Sequence, residues 1–428
     1  MNVYIETYGC QMNKLDSEIV GSILFDEGFT IVKNKLDADV ILLNTCGVRE
    51  NAEIRIHGRV AELSALKKDH PSLIFGIIGC MAQRLKKSLL SNGLKIIAGP
   101  DSYRKLPEMI RKAAVEPVVD TVLESQEIYG DIEPARTDPF SAWVAVMRGC
   151  NNFCSYCIVP YVRGGERSIP LQHIIEEIKH LKEQGYREVT LLGQNVNAYR
   201  NNGIDFAGLL REVAFTGMEW IRFLTSHPKN LTEHILEVMV QNKNICPHLH
   251  LPLQSGSDRI LKAMNRGYTV AEYLTHVQKA REIVDGISLT TDLIFGFPGE
   301  TEEDFQKTLS VMRTVRFDHA FLYYYSEREG TKASYMSGNV PQPVRIERLK
   351  EAIELQRKHS REQHNMQVNT SHVVLVKDTS KDRRGWFGYT ETNIPVVFTS
   401  DKNNVDIGSF VNVQIEATSG STLIGRNE

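Results

Sequence analysis

The run Arg148-Gly149-Cys150-Asn151-Asn152-Phe153-Cys154-Ser155-Tyr156-Cys157 constrains this 428-residue chain more than any other feature. Thiols at x3 then x2 spacing on one tight loop can wrap a single inorganic cluster. Structural zinc usually takes four ligands in two separated pairs. A fourth nearby Cys or His is missing here, so zinc is the weaker reading. A [4Fe–4S] cluster on three thiolates leaves one iron open to an exogenous ligand, and an open position marks chemistry rather than scaffolding.

The chain has seven cysteines, the others being Cys10, Cys46, Cys80 and Cys246. An odd number, behind an N-terminus with no basic export signal, argues against a disulfide framework. Apolar residues at 42% and charged residues at 24% exclude wholesale disorder, and no apolar run reaches the ~18 residues a membrane helix needs. The expectation is a soluble, cytoplasmic chain without membrane contact. A net charge of −3 excludes a globally cationic nucleic-acid binder but not local basic surfaces. Residues 81–112 carry a net +6 and residues 113–139 a net −6. The basic stretch reads equally as a polyanion surface and as a solvated helical face.

Between residues 1 and 100, strand patterns at Val3–Thr7, Val40–Asn44, Leu73–Ile78 and Lys95–Ala98 alternate with amphipathic stretches at 14–27, 51–69 and 82–92. This predicts a parallel, doubly wound α/β sheet, which binds ligands beyond the carboxyl ends of its strands. Cys10, Cys46 and Cys80 each follow such an end and are spaced about one crossover unit apart. Three loops at one sheet edge can therefore bring three thiols together. A lone Cys after a strand is otherwise a small buried hydrophobe, the expectation for Cys246, which has no partner at metal-site spacing.

The acidic, proline-bearing segment 116–139 reads as a linker between a first domain at 1–115 and a second at 140–368. Six β/α units, with strands at 143–147, 188–192, 220–225, 248–251, 288–295 and 319–325, predict a partial (β/α)6 barrel with its chemistry on the loops after the strands. Residues 369–428 are turn-rich and strand-like, which fits a small C-terminal β-barrel.

The cysteine loop resembles the radical S-adenosylmethionine superfamily, whose CxxxCxxC motif it matches with an aromatic residue before the last Cys. Tyr8-Gly9-Cys10-Gln11-Met12-Asn13, Asn44-Thr45-Cys46-Gly47-Val48-Arg49-Glu50-Asn51-Ala52 and Gly79-Cys80-Met81-Ala82-Gln83-Arg84 narrow this to the methylthiotransferases. They are most similar to the tRNA isopentenyladenosine methylthiotransferases (the MiaB type). The match continues through Leu192-Gly193-Gln194-Asn195-Val196-Asn197, His250-Leu251-Pro252-Leu253-Gln254-Ser255-Gly256-Ser257, Met264-Asn265-Arg266 and Gly296-Phe297-Pro298-Gly299-Glu300-Thr301.

The resemblance implies two [4Fe–4S] clusters and S-adenosyl-L-methionine. One cluster, on Cys150, Cys154 and Cys157, chelates S-adenosylmethionine and cleaves it to a radical, with Tyr156 near the adenine. The other, on Cys10, Cys46 and Cys80, carries the sulfur to be transferred. The implied reaction puts a methylthio group on C2 of isopentenyladenosine at position 37, in the tRNA anticodon loop, with a flavodoxin- or ferredoxin-type electron donor and a monomeric enzyme. Related enzymes acting on threonylcarbamoyladenosine tRNA or a ribosomal protein, and a non-enzymatic iron–sulfur carrier, are the alternatives.

By the same resemblance, Gln194 and Asn195 can bind the amino group of S-adenosylmethionine, against an ordinary helix-capping Asn. Gln254 and Ser255 can reach its carboxylate or ribose, against turn chemistry. Asp292, inside an apolar strand, needs partners and is expected to face the barrel interior toward ligand or substrate. His227 is a candidate for a supporting contact. The last section resembles the TRAM domain, an RNA-binding β-barrel, with Lys377, Lys381, Arg383 and Arg384 beside Trp386, Phe387, Tyr389 and Asn393 as the candidate RNA surface.

Overall fold

The computed structural model describes residues 1–47, 50–381, 383–400 and 405–428, leaving out the side chains of residues 50–54, 57, 67–69, 87, 91 and 92. Val48 and Arg49 of the second cysteine motif, and the side chains of Glu50, Asn51 and Ala52, therefore lie outside the described residues.

Six parallel strands form the N-terminal sheet: β1 (Asn2–Tyr8), β2 (Thr30–Ile31), β3 (Val40–Thr45), β4 (Ile74–Gly79), β5 (Ile96–Ala98) and β6 (Val118–Asp120), in the order β2-β1-β3-β4-β5-β6. Every residue of β3 and β4 is buried, as expected of strands covered by helices on both faces; β3 is apolar from Val40 to Leu43 and ends in buried Asn44 and Thr45. Alternate residues serve two cores. Val40, Leu42, Ile74 and Ile78 pack with α1 (Gln11–Asp26) and α4 (Leu106–Ala113). Ile41, Leu43, Phe75 and Ile77 pack with α2 (Glu50–Asp69) and α3 (Cys80–Leu85). The strand order reverses between β1 and β3, so the loops after those strands flank the crevice where such sheets bind ligands.

One expectation needs correction here. The segment 116–139 is not linker from its start, because β6 pairs with β5 and completes the sheet. Its acidic residues then pair with two cations of the basic stretch before it. Arg104 pairs with Glu127 and Asp131, and Lys105 with Asp120. The segment therefore satisfies Arg104 and Lys105 locally.

Six further parallel strands follow: β7 (Ser141–Ala145), β8 (Glu188–Leu192), β9 (Trp220–Phe223), β10 (His248–His250), β11 (Ser288–Phe295) and β12 (His319–Tyr324). They form two three-stranded sheets, joined where Ile221 donates to the Asn244 carbonyl and accepts from the Cys246 amide, at 2.8 and 2.9 Å. The result is an open six-stranded arc. Short helices α5 (Val159–Arg163) and α9 (Asp258–Ala263) flank the cysteine loop, and α6 (171–183), α7 (206–215), α8 (233–241), α10 (270–283), α11 (302–315) and α12 (342–365) surround the arc. Leu289, Leu293 and Phe295 join the core with α11 residues such as Leu309 and Met312, which leaves Thr290, Asp292 and Ile294 facing the lumen.

The chain ends in a closed barrel of β13 (Ser371–Thr379), β14 (Trp386–Thr390), β15 (Pro395–Thr399), β16 (Phe410–Ser419) and β17 (Thr422–Asn427), around Val374, Val376, Val396, Phe398, Val413, Ile415 and Leu423. It closes the floor of the central arc, where the strands begin. Arg222 donates to the Thr390 and Glu391 carbonyls, Lys377 pairs with Glu188, and Cys246 packs with Trp220 and Leu375. Cys246 is thus floor packing, as expected of a lone thiol.

Candidate functional site

Cys10 lies two residues beyond β1, Cys46 one beyond β3 and Cys80 one beyond β4. The backbone just before Cys80 requires glycine. Gly79 has φ +89°, and a Cβ there would stand 2.6 Å from Asn44 Oδ1. Asn13 and Asn44 interlock behind the thiols, Asn13 Nδ2 donating to Asn44 Oδ1 at 3.0 Å. A hydrogen bond with Cys46 holds the Cys10 thiol down at about 6, with Arg163 adding to the effect against the cost of burial. Arg163 Nε donates to Cys80 Sγ at 3.2 Å. One guanidinium thus stands against Cys80 and acts on Cys10, thiols that follow separate strands; burial nevertheless outweighs it at Cys80 and pushes that thiol up.

The second thiol set follows β7. Gly149 has φ +77° and meets the Gly164 and Gly165 carbonyls where a Cβ would sit, so the turn into Cys150 admits no larger residue. The segment Met264-Asn265-Arg266 straps this loop. Asn265 Nδ2 donates to the Asn152 and Phe153 carbonyls, each at 3.1 Å, and Ser155 N donates to the Met264 carbonyl at 3.0 Å. Arg266, 5% exposed, donates to Cys154 Sγ at 3.4 Å, Tyr268 Oη at 3.0 Å and the Pro252 carbonyl at 2.9 Å. Burial pushes the Cys157 thiol up to about 12. Tyr156 packs among Ile260, Phe297 and Tyr325.

Orphaned polar atoms gather on the loops after the arc strands. Asn195 Oδ1, Ser226 Oγ, His227 Nε2 and Gln254 Oε1 are buried without a hydrogen-bond partner among the described residues. These residues follow β8, β9 and β10. Buried polar groups are ordinarily satisfied, so four at one end of the arc fit a polar ligand. Asn195 caps no helix with its side chain and donates instead to Asn230 Oδ1 at 3.1 Å. Gln254 holds φ +73°, a conformation that costs a non-glycine residue energy. Its amide donates to the Asp292 carbonyl at 2.8 Å. His227 is held neutral, its pKa depressed to about 2 by burial and then by Arg266.

Two expectations are modified. Gln194 Oε1 accepts from the Gly149 amide, so it braces the cysteine loop. Ser255 is fully buried and its hydroxyl accepts from Ser257 N at 3.3 Å, which is turn chemistry. Asp292 does face the lumen, where His250 Nε2 stands 3.4 Å from its carboxylate. Sequence reasoning assigned nothing to Asp16, Arg148, Arg163 or Arg266. Arg148 and Arg266 stand inside quoted motifs, whereas nothing local marks Asp16 or Arg163.

In the last barrel, Lys381, Arg383, Arg384 and Asn393 are exposed, and Trp386 and Phe387 half-buried. Phe387 meets Tyr389 edge-on at 5.2 Å. Lys377 leaves this group, because Glu188 engages it in the floor.

The six-unit arc carrying a three-thiol loop defines the class. A radical SAM superfamily model matches residues 144–312, one described as an uncharacterized protein family, UPF0004, matches residues 2–99, and the TRAM domain matches residues 367–426. Solved structures share the fold. The radical S-adenosylmethionine methyltransferase TsrM from Kitasatospora setae superposes with TM-score 0.57 at 13% identity, over 78% of this chain and 77% of that one. The cobalamin-dependent radical enzyme OxsB gives 0.55 at 14%, over 84% and 56%. This is a radical SAM enzyme, a class that implies a [4Fe–4S] cluster and S-adenosylmethionine.

Curated relatives extend over the whole chain. The tRNA-2-methylthio-N(6)-dimethylallyladenosine synthase of Chloroherpeton thalassium is 46% identical over 99% of this chain and 95% of its own. Those of Azobacteroides pseudotrichonymphae and Prosthecochloris aestuarii are 48% and 46% identical over 99% of this chain, and over 96% and 98% of theirs. The chain belongs to the tRNA-2-methylthio-N(6)-dimethylallyladenosine synthase family. Family, enzyme class and fold agree with the expectation from sequence.

Proposed function

We propose that the protein transfers a methylthio group to C2 of N6-isopentenyladenosine at position 37 of tRNA, using two [4Fe–4S] clusters and two molecules of S-adenosylmethionine. The observation that carries this is the gathering of thiols from three strand ends of one sheet beside Arg163, next to a second three-thiol loop, in a chain whose full-length relatives bear that name. The donor set fits. Each set presents three cysteine sulfurs, the soft ligands that iron–sulfur centres take once deprotonated.

Cys150, Cys154 and Cys157 would hold the radical-generating cluster, and Cys10, Cys46 and Cys80 the sulfur-carrying one. When bound, these cofactors supply reductive cleavage of S-adenosylmethionine, hydrogen abstraction and the sulfur, because no side chain can deprotonate an unactivated aromatic C–H at neutral pH. The protein's own part is orientation and exclusion of water. Asn195, Ser226, His227 and Gln254 offer unsatisfied polar atoms to the bound S-adenosylmethionine. Tyr156 and Phe297 give its adenine an apolar wall, and Asp292 with His250 faces the lumen in which the target base would be held. Arg266 and Asn265 fix the cysteine loop.

The exposed Lys381, Arg383, Arg384 and Asn393, with Trp386 and Phe387, form the surface proposed to contact tRNA. A flavodoxin- or ferredoxin-type protein would supply electrons to a monomeric, cytoplasmic enzyme. Among the described residues no helix is long and apolar enough to cross a membrane.

The test is iron and labile sulfide per chain after anaerobic reconstitution, with zinc counted in the same sample, then incubation with tRNA bearing isopentenyladenosine. About eight irons and a 2-methylthio product are expected. About four irons, or stoichiometric zinc, would remove the sulfur-carrying role from Cys10, Cys46 and Cys80.

A further inference from the structure

A buried charge network lies between the two thiol sets. Asp16, on α1 six residues after Cys10, is fully buried. Its Oδ1 accepts from Arg148 Nη2 at 2.8 Å and its Oδ2 from Arg163 Nη2 at 2.6 Å, while Tyr103 Oη donates to Oδ2 at 3.3 Å. Arg148 stands two residues before Cys150 and Arg163 six after Cys157. One carboxylate from the first domain therefore grips both ends of the radical-site loop. Nearby, Arg167 pairs with buried Asp101.

The charges in this network do not balance. Among the described residues, the carboxylates paired with buried Arg148 and Arg163 and half-buried Arg167 are Asp16 and Asp101, two acids for three guanidiniums. An uncompensated buried charge is costly. Arg148 Nε and Nη1 are also buried without a partner among the described residues, but that guanidinium lies over the Tyr129 ring at 4.6 Å, whereas Arg163 reaches a thiol. Its Nε touches Cys80 Sγ, and its Nη1 is buried without any partner among the described residues. Three thiolates around an oxidised [4Fe–4S] core carry net negative charge, and the sulfurs of such a centre accept hydrogen bonds.

We propose that Arg163, held by Asp16, is a positioning residue for the auxiliary centre on Cys10, Cys46 and Cys80, donating to its sulfur atoms, raising its reduction potential and fixing it relative to the radical-site loop. This rests on the two-cluster reading above. Hydrogen bonds and net charge around an iron–sulfur centre set its potential, and removing an outer donor typically costs about tenfold to a hundredfold in metal retention or activity. Arg163→Gln removes the charge. Arg163→Lys keeps the charge but lacks the planar fork that reaches Asp16 and Cys80 together.

The experiment uses the full chain carrying Cys150→Ala, Cys154→Ala and Cys157→Ala, so that only the auxiliary centre can load. Iron content and the potential from a reductive titration followed by electron paramagnetic resonance are compared for Arg163, Arg163→Gln and Arg163→Lys. The expected result is about four irons in the Arg163 parent, with a more negative potential or about tenfold weaker iron retention in Arg163→Gln, and a smaller change in Arg163→Lys. In the otherwise intact enzyme, Arg163→Gln should form more deoxyadenosine per methylthio product. Unchanged potential, iron and product ratio in Arg163→Gln would overturn the proposal. If that variant does not fold, an unaltered potential in Arg163→Lys overturns it equally. No iron in the Arg163 parent would instead sink the two-cluster reading, and this proposal with it.

Discussion

Arg222 Nε donates to Glu188 Oε2 at 2.7 Å in the floor of the central arc, both side chains buried. The same guanidinium donates to the Thr390 and Glu391 carbonyls of the last barrel. One ion pair thus joins two adjacent strands of the arc and locks a separate domain beneath them. Removing one member of a buried pair strands the other. Arg222→Ala should cost about 3–5 kcal/mol and loosen the C-terminal barrel, read as a lower urea midpoint and faster proteolysis between residues 365 and 371. Wild-type values for both would show that the floor is held by packing alone.

Acid should destabilise the protein in two overlapping steps. Burial depresses His248 to about 3, so the native state resists a proton that the unfolded chain takes up near pH 6.5; stability is present above that pH and falls below it. For Glu188, burial pushes the carboxyl up, but Arg222 and Lys377 outweigh it and bring it to about 2. Its contribution is complete above its unfolded pKa of about 4.5 and is lost as pH drops toward 2. Urea midpoints should therefore decline from about pH 6.5 downward, and His248→Gln should remove its share of the upper part of that decline, the rest falling to residues such as His227, which burial depresses to about 2. A parallel pH profile in the variant would exclude His248 as the cause.

The two thiol sets should separate functionally. Cys154→Ala should abolish both deoxyadenosine formation and product. Cys46→Ala should keep reductive cleavage while losing sulfur insertion. Full product from Cys46→Ala would take the first sheet out of the chemistry.

Asn265 sits at φ +58° and ties down the Asn152 and Phe153 carbonyls. Asn265→Ala loses both bonds and keeps the strain, an expected loss of about 1–3 kcal/mol together with weaker iron retention at the radical site. Asn265→Gly relieves the strain alone and should recover thermal stability without recovering iron. Recovery of both in the glycine variant would make the strain, rather than the strap, decisive.

Deleting residues 369–428 is a poor probe of RNA contact, because it also uncovers Trp220, Cys246 and the Glu188–Arg222 pair. Lys381→Ala, Arg383→Ala and Arg384→Ala together leave the floor untouched. They should weaken tRNA binding and reduce its salt dependence by roughly one phosphate contact per cation removed, measured as affinity against salt concentration. An unchanged salt slope would place the RNA surface elsewhere.

Local chemistry made much of this protein legible from its sequence. The CxxxCxxC spacing, the glycines before Cys80 and Cys150, and the apolar runs of β3 (Val40–Leu43) and β4 each follow from covalent geometry and from solvent exclusion on both sheet faces. Crossover lengths even implied that Cys10, Cys46 and Cys80 share one edge. What the sequence left open depended on pairings between distant residues, most of them more than a hundred apart. Nothing near Asp16 announces that it will grip Arg148 and Arg163, nothing near Lys377 that Glu188 will withdraw it from the RNA surface, and nothing in the linker that Val118–Asp120 will finish a sheet. Buried charge finds its partner only when the fold closes, because desolvation, which makes pairing obligatory, does not exist in the open chain.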